Sequence, residues 1–311
     1  MRKTAKSYLL LPLSLCLLLL ATSCKDKHGE LPIEDKPAAT GLAYTQKSNR
    51  SLDTVYSNIV AALQANDAIG IVAQVDHQQN ASNAGLSLNP TRVVLFGNPK
   101  LGTPLMQANQ QAGLDLPQKM LVYKNDIGDV YTAFNSAQYL AERHGVGTVS
   151  TLPQIEMALT KLAESATGKK VQMADDNAVA LNEGILHKVS ANAFPDAYAK
   201  LRTAIEANAN LKIVAELDHQ QNAQSVGMTL RPTKLIVFGN PNLGTPLMQA
   251  EQTIGIDLPQ KMLVYEDENG AVHIAYNDPY YLAERHNISG EEETLAKIAT
   301  ALNALASTAA E

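Results

Sequence analysis

The chain has 311 residues, a formal net charge of −6, 45% hydrophobic and 18% charged residues, and no Trp. That is enough apolar material for two separate cores, and the acidic balance argues against a nucleic-acid binder, which carries a basic face. Two cysteines exclude a disulfide scaffold and a cysteine-rich metal site.

Residues 1–23 read as an address label. Arg2, Lys3 and Lys6 precede the apolar run Leu9–Leu20, which is shorter than the roughly 20 residues a membrane span needs. Ala21-Thr22-Ser23 then lead directly into Cys24. The segment resembles a bacterial lipoprotein signal. That resemblance implies that Cys24 receives a diacylglycerol, that the peptide before it is removed, and that a further acyl chain such as palmitate follows. Two or more chains anchor stably where one binds marginally. Cys16 leaves with the signal and Cys24 becomes a thioether, so thiol chemistry is excluded from the mature chain. Residues 24–40 are polar, carry two prolines, and read as a flexible tether.

The remainder is one unit written twice, at 41–167 and 184–311, joined by a linker at 168–183. Leu101–Ala108 recurs as Leu243–Ala250, Leu116–Tyr123 recurs as Leu258–Tyr265, and Tyr-Leu-Ala-Glu-Arg-His closes both copies at His144 and His286. A repeat this long is a duplicated domain and not a solenoid unit.

Within the first copy, Leu42–Gln46 predicts a strand and Asp53–Asn66 a helix with Tyr56, Ile59 and Leu63 on one face. Ile71–His77 alternates as a strand. Arg92–Phe96 is apolar on both faces and therefore central. Thr103-Pro104 predicts a helix start, with Thr103 as cap, and Gly113 its end. Lys119–Tyr123 and Val130–Phe134 predict a hairpin, Ser136–His144 a short helix and Gln154–Glu164 a longer one, repeated at Glu292–Leu305. The order β-α-β-β-α-β-β-α predicts an α+β fold, each copy a mainly antiparallel sheet with helices on one face.

Phe96-Gly97-Asn98-Pro99, Leu101–Met106, Leu116–Lys119 and Tyr139–His144 together resemble the family called domain of unknown function 302. The second copy fits it more fully through Glu266-Asp267, Gly270 and Tyr276-Asn277-Asp278-Pro279. The resemblance covers both copies and implies a fold similar to TATA-box-binding-protein-like domains. It implies neither DNA binding nor any established activity.

Four histidines recur at matched places: His77 with His219 and His144 with His286. His77 closes a strand face of Ile71, Ala73 and Val75, and His144 shares a helical face with Leu140. With Asn98 and Asn240 after the central strands, these six residues are the candidate ligand-binding set. Met106 could join a histidine pair in holding haem or copper. The bland alternatives are a hydrogen-bonded core histidine and a helix-end cation. Tyr131, which stands where the second copy has His273, falls on a strand face predicted to be exposed. Glu142-Arg143 reads as an exposed pair near a helix end. Asp278 and Ser136 are matched helix caps, and no HExxH, GxSxG or carboxylate dyad is present.

The sequence thus predicts a protein of the bacterial cell envelope, held to a membrane by its lipid. Its two copies pack on each other as a pseudo-dimer that binds a small ligand or an envelope partner. The rival readings are an envelope enzyme or haem- or metal-handling redox factor using the paired histidines, and a purely structural envelope protein. No cofactor or catalytic residue can be named from the sequence.

Overall fold

Each copy builds one antiparallel sheet, with its helices on one face. A computed structural model describes residues 39–175 and 177–311; the signal, Cys24 and all but the end of the predicted tether lie outside them. In the first copy, β1 (Leu42–Thr45), β2 (Gly70–Asp76), β3 (Thr91–Gly97), β4 (Gln118–Lys124) and β5 (Val130–Asn135) are joined by β6 (Val171–Met173), in the order β2-β3-β4-β5-β1-β6. The second copy orders β7 (Ile185–Ser190), β8 (Lys212–Asp218), β9 (Thr233–Gly239), β10 (Gln260–Glu266) and β11 (Val272–Asn277) as β7-β11-β10-β9-β8. Every pairing is antiparallel. The predicted linker therefore contributes β6, which adds to the first sheet beside β1.

The helices follow the apolar periods. In the first copy, α1 (Leu52–Gln64) is capped by Ser51 and buries Leu52, Val55, Ile59 and Leu63. The others are α2 (His77–Asn83), α3 (Pro99–Ala108), α4 (Ala137–His144) and α5 (Leu152–Thr167). The second copy repeats them as α6 (Phe194–Glu206), α7 (His219–Ser225), α8 (Pro241–Ala250), α9 (Pro279–Arg285) and α10 (Glu292–Ala310). Ser136 and Asp278 cap α4 and α9 through the Tyr139 and Tyr280 amides.

The central strands separate two kinds of core, as period-two alternation requires. Val94, Phe96, Met120 and Val122 face α1 and α5. Ile236, Phe238, Met262 and Val264 face α6 and α10. The alternate residues Val93, Leu95 and Leu121 share a third core with Leu235, Val237 and Leu263 of the other copy. The order of layers is helices, sheet, sheet, helices. Two 3-10 turns, Gln110–Leu114 and Gln252–Ile256, cross into the opposite copy. Gln110 Nε2 donates to Thr233 Oγ1 at 2.9 Å, and Gln252 Nε2 to Thr91 Oγ1 at 2.7 Å.

Four local expectations are corrected. The register of β2 shifts between Ile71 and Ala73, so Ile71 packs on the helix side while Ala73 and Val75 face the other sheet. The strand ends at Asp76, whose side chain caps α2, and His77 is the first residue of that helix. α3 begins a turn before Thr103: Asn98 accepts from the Lys100 amide, Pro99 takes the first position, and Pro104 sits inside the helix. The Asn-Pro pair offers the same cap-plus-proline signal as Thr103-Pro104 and comes first along the chain. Tyr131 is 1% exposed, because that face of β5 looks onto the inter-sheet core, where its ring stacks on Tyr123.

Candidate functional site

Two separate features collect the polar residues of the interior. One is a buried charge network where the copies meet. The other is a pair of cavities, each walled by both copies.

The network is pseudo-symmetric. Arg143 donates to Asp115 at 2.7 Å and to Asn277 of the other copy at 2.9 Å; Arg285 donates to Asp257 at 2.6 Å and to Asn135 at 2.8 Å. Lys119 reaches across to Asp257 at 3.2 Å. Arg143, expected to be exposed, is 0% exposed. Its neighbour Glu142 turns outward and accepts from the Val179 amide. Burial alone would raise the Asp115 carboxyl, but Arg143, the His144 hydrogen bond, Lys261 and Lys119 outweigh it and hold it well below the usual range. Asp257 is lowered in the same way, against its own burial, by Arg285, Lys119, His286 and Lys261. Lys261 is pushed down to about 7 by burial and by Lys119 beside it.

His144 and His286 belong to this network. Each places Nε2 2.9 Å from its aspartate, Asp115 or Asp257. Burial lowers both histidines against the pull of those carboxylates. The ring is then neutral and its Nε2–H donates to the carboxylate. His286 Nδ1 takes a hydrogen bond from Thr253 at 2.9 Å; the first copy has Gln111 at that place, and His144 Nδ1 has no partner.

His77 and His219 lie elsewhere. His77 Nε2 is 3.1 Å from the Gly255 carbonyl of the opposite copy. His219 faces the Gly113 carbonyl in the matching position, with geometry that falls short of a full hydrogen bond. Burial pushes both rings down to about 4. The two histidines of one copy are therefore not brought together: one joins the charge network, the other crosses to a cavity of the other copy. Among the described residues no group of three His, Cys, Asp or Glu side chains is placed to hold a metal ion.

The first cavity, of about 470 Å³, lies between the end of the first sheet and α5. Phe96, Leu101, Met106, Leu116, Ile155 and Leu159 supply its apolar wall, with Asn98 at the start of α3. The second copy closes it with His219, Gln221 and Asn222 of α7, beside Glu216 and Asp218. The second cavity mirrors it with Asn240, Phe238, Leu258 and Ile298, closed by His77 and Asn80 of α2, but holds only about 130 Å³. The candidate residues are thus paired across the copies, Asn98 with His219 and Asn240 with His77.

Sequence reading missed three residues of the first cavity. Thr103 and Gln118 are among its lining residues and are 1% and 9% exposed; their Oγ1 and Nε2 atoms are buried and have no hydrogen-bond partner. Gly70 lies at its edge, where Lys212 stands in the second cavity. A Cβ built on Gly70 meets nothing within 4 Å. Both positions open the matched strands, pairing with Gly97 and Gly239, so the backbone accepts either residue. The missed signal was the contrast between the copies: Gly70 and Lys212 differ where their surroundings repeat.

The chain belongs to the family described as Domain of unknown function DUF302, which it matches over residues 44–166 and again over 186–305. A stretch of 88 residues, 28% of the chain, is 44% identical to part of a protein named fluoride-specific ion channel FluC 1 from Brucella suis biovar 1 (strain 1330), covering 35% of it. A protein of the same name from Brucella abortus biovar 1 (strain 9-941) is matched at 44% identity over 33% of its length. The chain thus spans about a third of the curated relatives it matches. Among solved structures, a DUF302 protein from Bacillus stearothermophilus is similar at a TM-score of 0.38 and 18% identity, over 41% of this chain and 98% of that one. Among the described residues no helix is long and apolar enough to cross a membrane.

Proposed function

We propose that this tandem member of the DUF302 family is a lipid-anchored, small-ligand-binding protein of the bacterial cell envelope, with the first cavity as its site. One observation carries the reading. The first cavity, about 470 Å³ and walled by both copies, is lined mainly by apolar side chains and is large enough for a small organic molecule. The lipoprotein-like segment ending at Cys24 supports the membrane tether, as does the 44% identity to stretches of proteins named as ion channels.

The binding claim is tested by fluorescence titration with N-phenyl-1-naphthylamine, a neutral apolar probe. The chain should bind it saturably, and Gly70→Lys should abolish that binding while melting at the same temperature, since Lys212 already occupies the matching place. No saturable binding, or binding indifferent to Gly70→Lys, refutes the reading. The tether is tested separately by labelling cells with a radioactive fatty acid: Cys24→Ser should lose the label, and equal labelling of both chains refutes the anchor.

A further inference from the structure

We propose that β7 is a docking edge for a second molecule of this chain, whose own β7 adds to it antiparallel about a two-fold axis at His187. The inference is independent of the ligand reading and rests on a difference between the two sheets.

β1 and β7 are the same strand of the repeat, and only one of them is covered. β1 is buried along its whole length. β6 pairs with its outer side and sets Gln172 opposite Tyr44, where Gln172 Nε2 donates to the tyrosine hydroxyl at 2.9 Å. Among the described residues β7 pairs only with β11 and stands at the edge of its sheet. Leu186 is 41% and Val189 58% exposed, and His187 is exposed beside them. The far edges differ, because β2 and β8 approach each other. A bare edge presents a row of amides and carbonyls on which another strand can add. Lysines and acids usually blunt such an edge, and β7 carries only Lys188.

The first copy shows which backbone groups point outward. The Leu42 carbonyl accepts from the Ala174 amide, and the Gln46 amide donates to the Lys170 carbonyl. The matching groups of β7 are the Ile185 carbonyl and the Val189 amide, with His187 midway between them. A row centred on one residue is self-complementary. A two-fold axis at His187 sets each Val189 amide against the Ile185 carbonyl of the second molecule, and the two His187 residues exchange their bonds.

The side chains fit the same register. Val189, the most exposed apolar residue of the strand, falls opposite Ile185. Leu186 falls opposite Lys188, whose methylene stem covers it, and the two lysines stand diagonal to each other and not opposed. In the first copy Tyr123, Tyr131 and Tyr44 form a row of rings that Gln172 extends. In the second copy Tyr265, His273 and His187 form the matching row, with centroids 4.9 and 6.2 Å apart, and the His187 of the second molecule extends it.

Sedimentation velocity of the purified chain should show a monomer–dimer equilibrium that follows concentration. Val189→Lys puts like charges on the joined edge and should raise the dissociation constant about tenfold or more. Because Val189 is exposed, the variant should melt within about 2 °C of the parent. On mild oxidation His187→Cys should cross-link into a dimer, since paired Cα atoms lie about 5.5 Å apart. Val189→Cys should cross-link no more than the parent, since its two copies lie about 13 Å apart across the axis. Hydrogen exchange at the His187 and Val189 amides separates the occupants, and protection that rises with concentration supports a second molecule. Protection independent of concentration means that another segment covers β7, and no protection at any concentration means that nothing does; either overturns the proposal. A monomer throughout, a dimer indifferent to Val189→Lys, or cross-linking at position 189 in place of 187 overturns it as well.

Discussion

Replacing Arg285 by Leu should cost far more than the loss of a surface ion pair. The guanidinium is buried, pairs with Asp257 at 2.6 Å, and donates to Asn135 at 2.8 Å and to the Thr40 carbonyl at 2.9 Å. It also lies 4.0 Å from the centre of the Tyr139 ring. Breaking a buried pair by removing one partner costs about 3–5 kcal/mol, because the remaining groups stay out of water unpaired. For a chain of this size each kcal/mol moves the melting temperature by roughly 2–4 °C, so a fall of about 10 °C is expected. Urea denaturation followed by far-ultraviolet circular dichroism measures the free energy directly. A double-mutant cycle with Asn135→Leu then isolates the bond between the copies, with an expected coupling of at least about 0.5 kcal/mol. A loss below about 1 kcal/mol for Arg285→Leu would place the residue with exposed pairs and refute the buried network as a structural element.

Acid should weaken the fold through His77 and His219. Their folded values of about 4 lie below the ordinary 6.5, so the unfolded chain binds more protons between those limits. Stability is then present above pH 6.5 and lost as pH falls toward 4, by about 2–3 kcal/mol per histidine at pH 4.5. Urea midpoints at pH 7 and 4.5 measure this, and an unchanged acid slope in the His77→Gln, His219→Gln chain would refute it. Gly184→Ala should destabilise by more than the about 1–3 kcal/mol that a left-handed backbone costs a side chain, because Gly184 has φ +63° and an added Cβ would overlap the Tyr281 ring. A thermal melt within 2 °C of the parent would contradict that. A fragment comprising residues 184–311 alone should sediment as a dimer or larger species, since Leu235, Val237 and Leu263 lose their cover; a stable monomer would show that the shared core is dispensable.

The regular elements were legible because their periods are local. Arg92–Phe96 read as a central strand since both of its faces are apolar, and the structure places β3 between β2 and β4 with Val93 and Val94 buried on opposite sides. Ile71 was misplaced because a one-residue register shift inside β2 reverses the faces without any change in composition, and His77 because the strand stops at Asp76, whose side chain caps α2. Arg143 was misread because a charged residue near a helix end is usually solvated, and the Asp115 that neutralises it is 28 residues away in sequence. The matched histidines suggested one site per copy. The packing sends His77 and His219 to opposite cavities, a long-range outcome that no single copy encodes. The Asp115–Lys119 and Asp257–Lys261 spacings were the available clue, as acids and bases kept in both copies amid apolar neighbours.

The central claim is that the two copies pack on each other and that the first cavity, walled by both, takes a small, largely apolar ligand. Anomalous diffraction from crystals soaked with a brominated naphthalene, an apolar probe, locates that ligand directly. The account predicts one bromine peak per chain, between Ile155 of α5 and His219 of α7, and none in crystals of the Gly70→Lys chain. Bromine confined to the protein surface, or gathered at His144 and His286, would contradict it.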